Sequence, residues 1–338
     1  MGLFLSKYSR FERTLPDVSG KVFAITGTTS GTGFVAAKTV AQHGGEVILL
    51  NRPSTRSVAS LEKLQTEVPT GKFVAIDCDL MDMSSVRKAA QEIKSKYTKL
   101  YCLSNNAGIM ATPDEITKDG FDKQMQTNHL SHFLLTKELF PLLVESAKES
   151  GDARLVQHSS MARDMCKGED KLLEEQYMSK YDKDGQLGGD VEKAAFMKGP
   201  QWDRYAQTKL ANSVFAKALD DRITASKDAN AQKVKSLCAH PGVSDTNLGD
   251  HLSFGKVTDA IFNVVSKMVV QSKEDGAMGL LKAMMDKPDN VETGVVYGPT
   301  GLTGFPVPMP PQAYESNPKS KNMLWKASET ATGVTFDI

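Results

Sequence analysis

The 338-residue chain sets 41 Lys+Arg against 41 Asp+Glu, with 40% hydrophobic and 24% charged residues. That neutrality argues against a nucleic-acid binder, which usually carries a basic excess, and no apolar run approaches the ~18 residues of a membrane span. The four cysteines (Cys78, Cys102, Cys166 and Cys238) contain no CxxC pair and fit a reducing compartment without a disulfide framework.

At the N-terminus, Gly2 and Ser6 match the M-G-x-x-x-[ST] acylation pattern, and Lys7, Arg10 and Arg13 follow as a modest basic supplement. No secretory leader is expected, because the apolar stretch is short and no cleavage region follows it. Residues 1–19 read as a tail. "KVFAIT" (21–26) then reads as a buried strand, and "GFVAAKTVAQHG" (33–44) as a helix stopped by Gly44 and Gly45. "EVILL" (46–50) is a second strand, "SVASLEKLQTEV" (57–68) a helix and "KFVAIDC" (72–78) a third strand. "SSVRKAAQEIKSKY" (84–97) is a helix and "LYCLSN" (100–105) a fourth strand. This alternation predicts an α/β fold: a single-domain doubly wound parallel sheet with helices on both faces.

The second half keeps the rhythm. A long helix is expected over roughly 120–147, a strand over 154–159, a helix over roughly 202–222, and strands over 233–239 and 294–298. Residues 20–300 form the main body. Within it, 163–201 is polar, with several glycines, and reads as an insertion. The C-terminal extension, 301–338, contains "FPVPMPP" (305–311) and reads as extended and loop-like.

"TGTTSGTG" (26–33) lies between the first strand and the first helix, where a dinucleotide binds. Gly27, Gly31 and Gly33 let the backbone turn and approach a pyrophosphate, with Thr29 and Ser30 in the same turn, and the helix N-terminus adds N–H donors. The second strand ends "LLNRPSTR", with no acid to hold the ribose 2′-OH of NAD. Arg52 is placed for a 2′-phosphate and Arg56 to assist, so NADP is the expected cofactor. Tyr205 and Lys209 share one helix face at i and i+4. A free Tyr titrates near 10, and an ammonium one turn away is expected to favour the phenolate and lower that value.

Five motifs in chain order resemble those of the short-chain dehydrogenase/reductase family. They are the turn with Thr26, Gly27, Gly31 and Gly33; "NNAG" (105–108); Asn128 in "NHLSHF"; Ser159 and Ser160 ahead of Tyr205-x-x-x-Lys209; and "HPG" (240–242). The resemblance covers roughly residues 20–300, and "NHLSHFLLT", "YAQTKLANSVFAKAL" and "HPGVSDTNL" look most like the retinol-dehydrogenase-like and WW-domain-oxidoreductase-like branch. Ser131 replaces the branch's Gly, and no WW domain is visible. The resemblance implies a Rossmann-type sheet and a Ser-Tyr-Lys mechanism. Tyr205 would be the acid/base, Lys209 its electrostatic partner and a holder of the nicotinamide ribose, and Ser160 the donor to the substrate oxygen. Asn128 would complete a water-linked proton relay; its other reading is a buried Asn capping a helix irregularity. Further cofactor contacts are implied for Asn106, Ala107, Gly108, Pro241, Gly242, Val243 and Thr246. Asp79, ahead of Asp77, would accept from the adenine amino group.

Ser160 and Tyr205 lie 45 positions apart, a longer interval than the family usually has. The added residues would form a lid or channel over the sheet edge, suited to a hydrophobic carbonyl or alcohol such as a retinoid, sterol or other lipid. Two rivals stand: an enzyme like the light-dependent protochlorophyllide reductases, against which "NNAG" counts, and an NADPH-binding regulator that does not turn over. His129 and His132 are spaced H-x-x-H without a third ligand, so no metal is expected. No G-x-S-x-G elbow exists. A cytoplasmic location with weak peripheral membrane contact through Gly2 is expected, and a homodimer is compatible with the chain.

Overall fold

A computed structural model of the chain describes residues 7–166, 173, 175–180, 198–243 and 271–338. Among the described residues, seven parallel strands and one antiparallel strand form a single sheet in the order β3-β2-β1-β4-β5-β6-β7-β8. The strands are β1 (Val22–Thr26), β2 (Glu46–Asn51), β3 (Lys72–Asp77), β4 (Cys102–Asn105), β5 (Ala153–His158), β6 (Val234–Ala239), β7 (Val296–Gly298) and β8 (Val307–Met309). Strand order reverses between β1 and β4. A ligand crevice therefore belongs beyond the carboxyl ends of those two strands.

Helices cover both faces. α1 (Lys7–Glu12), α2 (Gly31–Gln42), α3 (Thr55–Glu67) and α4 (Met83–Lys96) are followed by α5 (Ser131–Ser150) and α6 (Pro200–Ala225). α7 (Lys273–Met285), α8 (Ala313–Ser316) and α9 (Pro318–Thr332) follow. Local chemistry fixes several starts: Ser54 and Ser57 form a reciprocal cap on α3, and Asp82 caps α4. Alternate strand residues feed two cores. Ala24, Ile48 and Leu50 face one that includes Phe133, Leu210 and Trp325, whereas Phe23, Ile25, Val47 and Leu49 face one that includes Val40, Leu281 and Met284. Burial on both faces explains why these strands read as continuous apolar runs.

Three regions beyond the N-terminal tail depart from the expected elements. First, 301–338 is not loop-like. Asn317 caps α9, Pro318 occupies its first turn, and the helix buries Leu324 and Trp325. Trp325 stacks on Phe336 at 5.2 Å and meets Phe133 edge-on at 5.4 Å. Each such buried aromatic contributes on the order of 1.5–3 kcal/mol, enough to outweigh the preceding proline-rich run. Second, α7 was not expected. Ser272 caps it and Glu274 and Asp275 sit in its first turn, but two glycines lower its intrinsic propensity. Third, the helix expected over 120–147 is interrupted by a π-helix, Gln126–Leu130, before α5 runs on to Ser150.

The described part of the expected tail is docked. Phe11 is buried, the Tyr8 amide donates to Asp275 Oδ1 at 3.0 Å, and the Tyr8 and Thr39 hydroxyls are hydrogen-bonded. Among the described residues no helix is long and apolar enough to cross a membrane.

Candidate active site

The site is built at the β1/β4 crevice. Gly27 has φ +71°, and a Cβ there would lie 2.8 Å from Ala107; a Cβ on Gly33 would lie 2.2 Å from the Gly27 carbonyl oxygen. Only glycine fits both positions, so the turn after β1 closes tightly and leads into α2. Its shape is held by Asn106, whose Nδ2 donates to the carbonyls of Thr26 (2.9 Å) and Gly27 (3.2 Å). Asn106 Oδ1 accepts from Thr32 Oγ1 at 3.0 Å and from His158 Nδ1 at 2.7 Å. The side chain of Asn106 is thus engaged within the protein, where it ties the glycine turn to β4 and β5. Thr26 Oγ1 accepts from the amides of Asn106 and Ala107, both at 3.0 Å.

Asn128 sits inside the π-helix and is fully buried. Its Oδ1 accepts from the Ile109 amide (2.8 Å), and its Nδ2 donates to the Ile109 carbonyl (2.9 Å) and to Thr208 Oγ1 (2.9 Å). It therefore clamps the strand end after Gly108 to α6 one residue before Lys209. The Asn128 carbonyl lies 3.0 Å from His132 Nδ1, and His132 Nε2 lies 3.0 Å from Thr26 Oγ1. A carbonyl only accepts, so Nδ1 carries the proton and Nε2 accepts from Thr26. Burial holds His132 down at about 4, consistent with a neutral ring.

α6 presents Tyr205 and Lys209, which are 5% and 4% exposed. Lys209 Nζ donates to the His158 carbonyl at 3.1 Å and lies 5.7 Å from the centre of the Tyr205 ring. The expected lowering of the phenol does not occur in this arrangement. Burial pushes Tyr205 up to about 12, with the Ser160 side chain pulling the other way; burial also brings Lys209 down to about 8. A Cβ on Gly108 would lie 3.2 Å from both Asn128 Oδ1 and Lys209 Nζ, so "NNAG", Asn128 and Lys209 converge. Ser160 follows β5, and its Oγ accepts from the Ala162 amide at 3.2 Å. The Ser159 hydroxyl is engaged elsewhere, donating to the Lys209 carbonyl at 2.6 Å. Ala111, Ala162 and Trp202 pack with Tyr205, and half-buried Met110 and Met165 join them, giving the phenol an apolar wall. Ala111 holds φ +48° there, a strained conformation of the kind that collects at functional sites.

Around this centre the other expected residues fall as follows. Thr29, Ser30 and Gly31 line a cavity of about 270 Å³ together with Phe34, Arg56, Ser60, Lys63 and Lys273. Arg56 Nη2 donates to Ser30 Oγ at 3.2 Å, whereas Arg52 is exposed at the end of β2. Asp79 Oδ1 accepts from the Met81 amide at 3.0 Å in a local turn, and Asp77 is exposed. Beyond β6 the Gly242 amide donates to His240 Nδ1 at 3.2 Å, and the Val243 amide to the Leu302 carbonyl at 2.8 Å. The Pro241 carbonyl accepts from Gln271 Nε2. Thr246 lies outside the described residues, as does much of the 163–201 insertion. Among the described residues no group of three or more His, Cys, Asp or Glu could hold a metal.

Two contributors were not singled out in the sequence. Asn51 Oδ1 accepts from the Thr28 amide at 2.8 Å and its Nδ2 donates to Thr28 Oγ1 at 2.7 Å, fastening the end of β2 to the glycine turn. Its position before Arg52 was the available signal. Thr208 had none beyond its place beside Lys209.

A family model described as short chain dehydrogenase matches residues 21–168. The chain is 33% identical over 275 residues to the short-chain dehydrogenase/reductase drtF of Aspergillus calidoustus, covering 80% of this chain and 81% of that one. It is 28% identical over 324 residues to the polyprenol dehydrogenase of Homo sapiens, covering 96% and 88%. Among solved structures, an uncharacterized protein from Mycobacterium paratuberculosis superposes with a TM-score of 0.71 at 29% identity, covering 97% of this chain and 98% of that one.

Proposed function

The chain belongs to the short-chain dehydrogenase/reductase family of oxidoreductases, and from that premise we propose that it interconverts a bulky hydrophobic carbonyl and its alcohol using NADP(H). The observation that carries the substrate class is the apolar wall of Met110, Ala111, Ala162, Met165 and Trp202 around the Tyr205 phenol. It favours an apolar group beside the reacting carbon. The human relative's name, polyprenol dehydrogenase, points the same way.

The residues present fit a dinucleotide. The backbone at Gly27 and Gly33 leaves no room for a Cβ, and the α2 N-terminus follows at once, a suitable seat for a pyrophosphate. When bound, the nicotinamide supplies or accepts the hydride. Ser30 and Arg56, with Arg52 at the rim, would hold the 2′-phosphate. Asp79 would face the adenine, the backbone of Asn106, Ala107 and Gly108 with Lys209 the nicotinamide ribose, and Pro241, Gly242 and Val243 the nicotinamide end. Tyr205, a neutral phenol while its value stays near 12, delivers the proton to the carbonyl oxygen. Ser160 donates a hydrogen bond to the same oxygen as charge develops on it. Lys209, with its charge retained below about 8, favours the phenolate left behind. Asn128 holds the strand end and α6 at a fixed separation, and its carbonyl is the candidate relay position.

The preference for NADP rests on the cavity beside the glycine turn, which carries Arg56, Lys63 and Lys273 and no carboxylate in its lining. The lysines are only loosely paired, Lys63 with Glu67 at 3.8 Å and Lys273 with Glu274 at 4.0 Å. Arg56→Ala, and to a smaller extent Arg52→Ala, should weaken NADPH and spare NADH by roughly 1.5–3 kcal/mol, the size of a charge-assisted hydrogen bond. The measurement is kcat/KM for each cofactor with a panel of hydrophobic aldehydes and ketones. Equal losses on both cofactors would remove the 2′-phosphate assignment. NADPH binding without turnover of any carbonyl would favour the regulator reading.

Location completes the proposal. Gly2 and Ser6 lie outside the described residues, but α1 begins directly after them, with exposed Lys7 and Arg10. One myristoyl chain gives marginal, reversible membrane binding, and nearby cations add up to ~1 kcal/mol each at an anionic surface. Expressed in acylating cells, the wild type should carry the added mass and fractionate partly with membranes, and Gly2→Ala should not. Identical fractionation of the two would leave the enzyme without this anchor.

A further inference from the structure

We propose that Arg163 and Glu315 form a positioning pair through which the C-terminal segment sets the placement of Ser160; this rests on Ser160 acting as the donor to the substrate oxygen. Ser160 has extended backbone (φ −155°, ψ 159°) and opens a 3₁₀ turn, Met161–Met165. Its carbonyl accepts twice from one residue, from the Arg163 amide at 3.1 Å and from Arg163 Nη1 at 3.0 Å. Arg163 Nε in turn donates to Glu315 Oε1 at 2.9 Å. The other carboxylate oxygen, Oε2, accepts from the Gln312 amide at 2.7 Å. Both side chains are buried, 8% and 1% exposed. A second tie joins the same segments, from the Tyr314 hydroxyl to Asp164.

β8 pairs with β7 at the sheet edge, α8 follows it with Glu315, and α9 then packs beside α6. A segment remote in sequence, 152 positions away, thus grips the turn that also carries Ala162 and Met165 into the apolar wall. A buried ion pair is poor evidence of net stability, because desolvation offsets its attraction. Here the fork geometry of the guanidinium matters, since one side chain bonds the Ser160 carbonyl and the carboxylate together. Rotation of the Ser160 peptide would carry Oγ away from the oxygen shared with Tyr205.

The test uses the full chain with NADPH and decanal. Arg163→Lys keeps the charge but loses the fork, and Glu315→Gln keeps the shape but loses the charge. Both are expected to lower kcat by roughly 10–100-fold, the cost of misplacing a reacting group, with NADPH affinity near wild type; Glu315→Gln leaves the buried guanidinium without its carboxylate and is expected to lower the melting temperature as well. Arg163→Lys placed in a Ser160→Ala background should cost less than about two-fold more, because the residue acts through Ser160. Full kcat in either folded variant, or a loss that simply multiplies with that of Ser160→Ala, overturns the pair. Should Glu315→Gln fail to fold, Arg163→Lys and its Ser160→Ala combination decide alone. Failure here with Tyr205→Phe still inactive leaves the Ser-Tyr-Lys reading standing. A wild type inactive on every carbonyl tried refutes both.

Discussion

Tyr205→Phe is expected to lower turnover by roughly 10²–10⁴, the range for loss of a positioned general acid, while NADPH binding stays within a few-fold. The phenol is 5% exposed and stands in an apolar wall, so water has poor access to replace the missing proton. The ring stays in place without its hydroxyl: it meets Trp202 edge-on at 6.1 Å and packs with Ala111 and Ala162, contacts that Phe retains. Structure and cofactor affinity should therefore survive, which separates a chemical loss from a folding loss. Single-turnover rates with NADPH measure the chemical step directly. A mutant with wild-type turnover would show that another group supplies the proton.

Much of this site was legible because its parts are local in sequence. The glycine turn needs only residues 26–33, and Tyr205 and Lys209 share a face by helical spacing alone. What was not legible is what these groups meet. The expectation that Lys209 lowers Tyr205 used sequence spacing and took no account of burial, which moves the phenol up and the ammonium down. The reading of Asn128 as a buried Asn at a helix irregularity fits the π-helix around it, but its partners were not legible, because they are Ile109, 19 positions away, and Thr208, 80 away. The C-terminal segment was misread for a related reason. Its proline run is a local signal, whereas α9 is secured by remote Phe133 and Phe215. Arg56 was read as an assistant to Arg52, yet it is Arg56 that reaches Ser30, since the first turn of α3 points it back toward the glycine turn.

Acid should destabilise this protein well above the range of its carboxylates, because four histidines among the described residues are buried as neutral rings. Burial is the leading cause in each case, and it holds His129 and His158 at about 3 and His132 and His240 at about 4, against 6.5 for a free imidazole. Their partners suit the neutral form. His129 Nε2 lies 2.8 Å from Ser328 Oγ, His158 Nδ1 contacts Asn106, and His240 Nδ1 accepts from Gly242. The sign follows from proton counting. Below 6.5 the unfolded chain binds protons that the folded chain does not, so stability is complete above 6.5 and is lost as pH falls toward the folded values. At pH 5 each ring contributes a loss of about 2 kcal/mol, and four together about 8 kcal/mol as an upper figure. That is comparable with the whole stability of a typical domain, about 5–15 kcal/mol. Carboxylates held low by their partners, such as Asp82 at about 2, add to the loss only at more acid pH. Urea unfolding at pH 7.0, 6.0 and 5.0 should show the midpoint dropping steeply across this interval. His129→Gln removes one titrating ring, so it should lower stability at pH 7 and flatten the pH slope by about one proton of four. A flat midpoint from pH 7 to 5, or an unchanged slope in His129→Gln, would mean that these rings already take up protons in the folded protein.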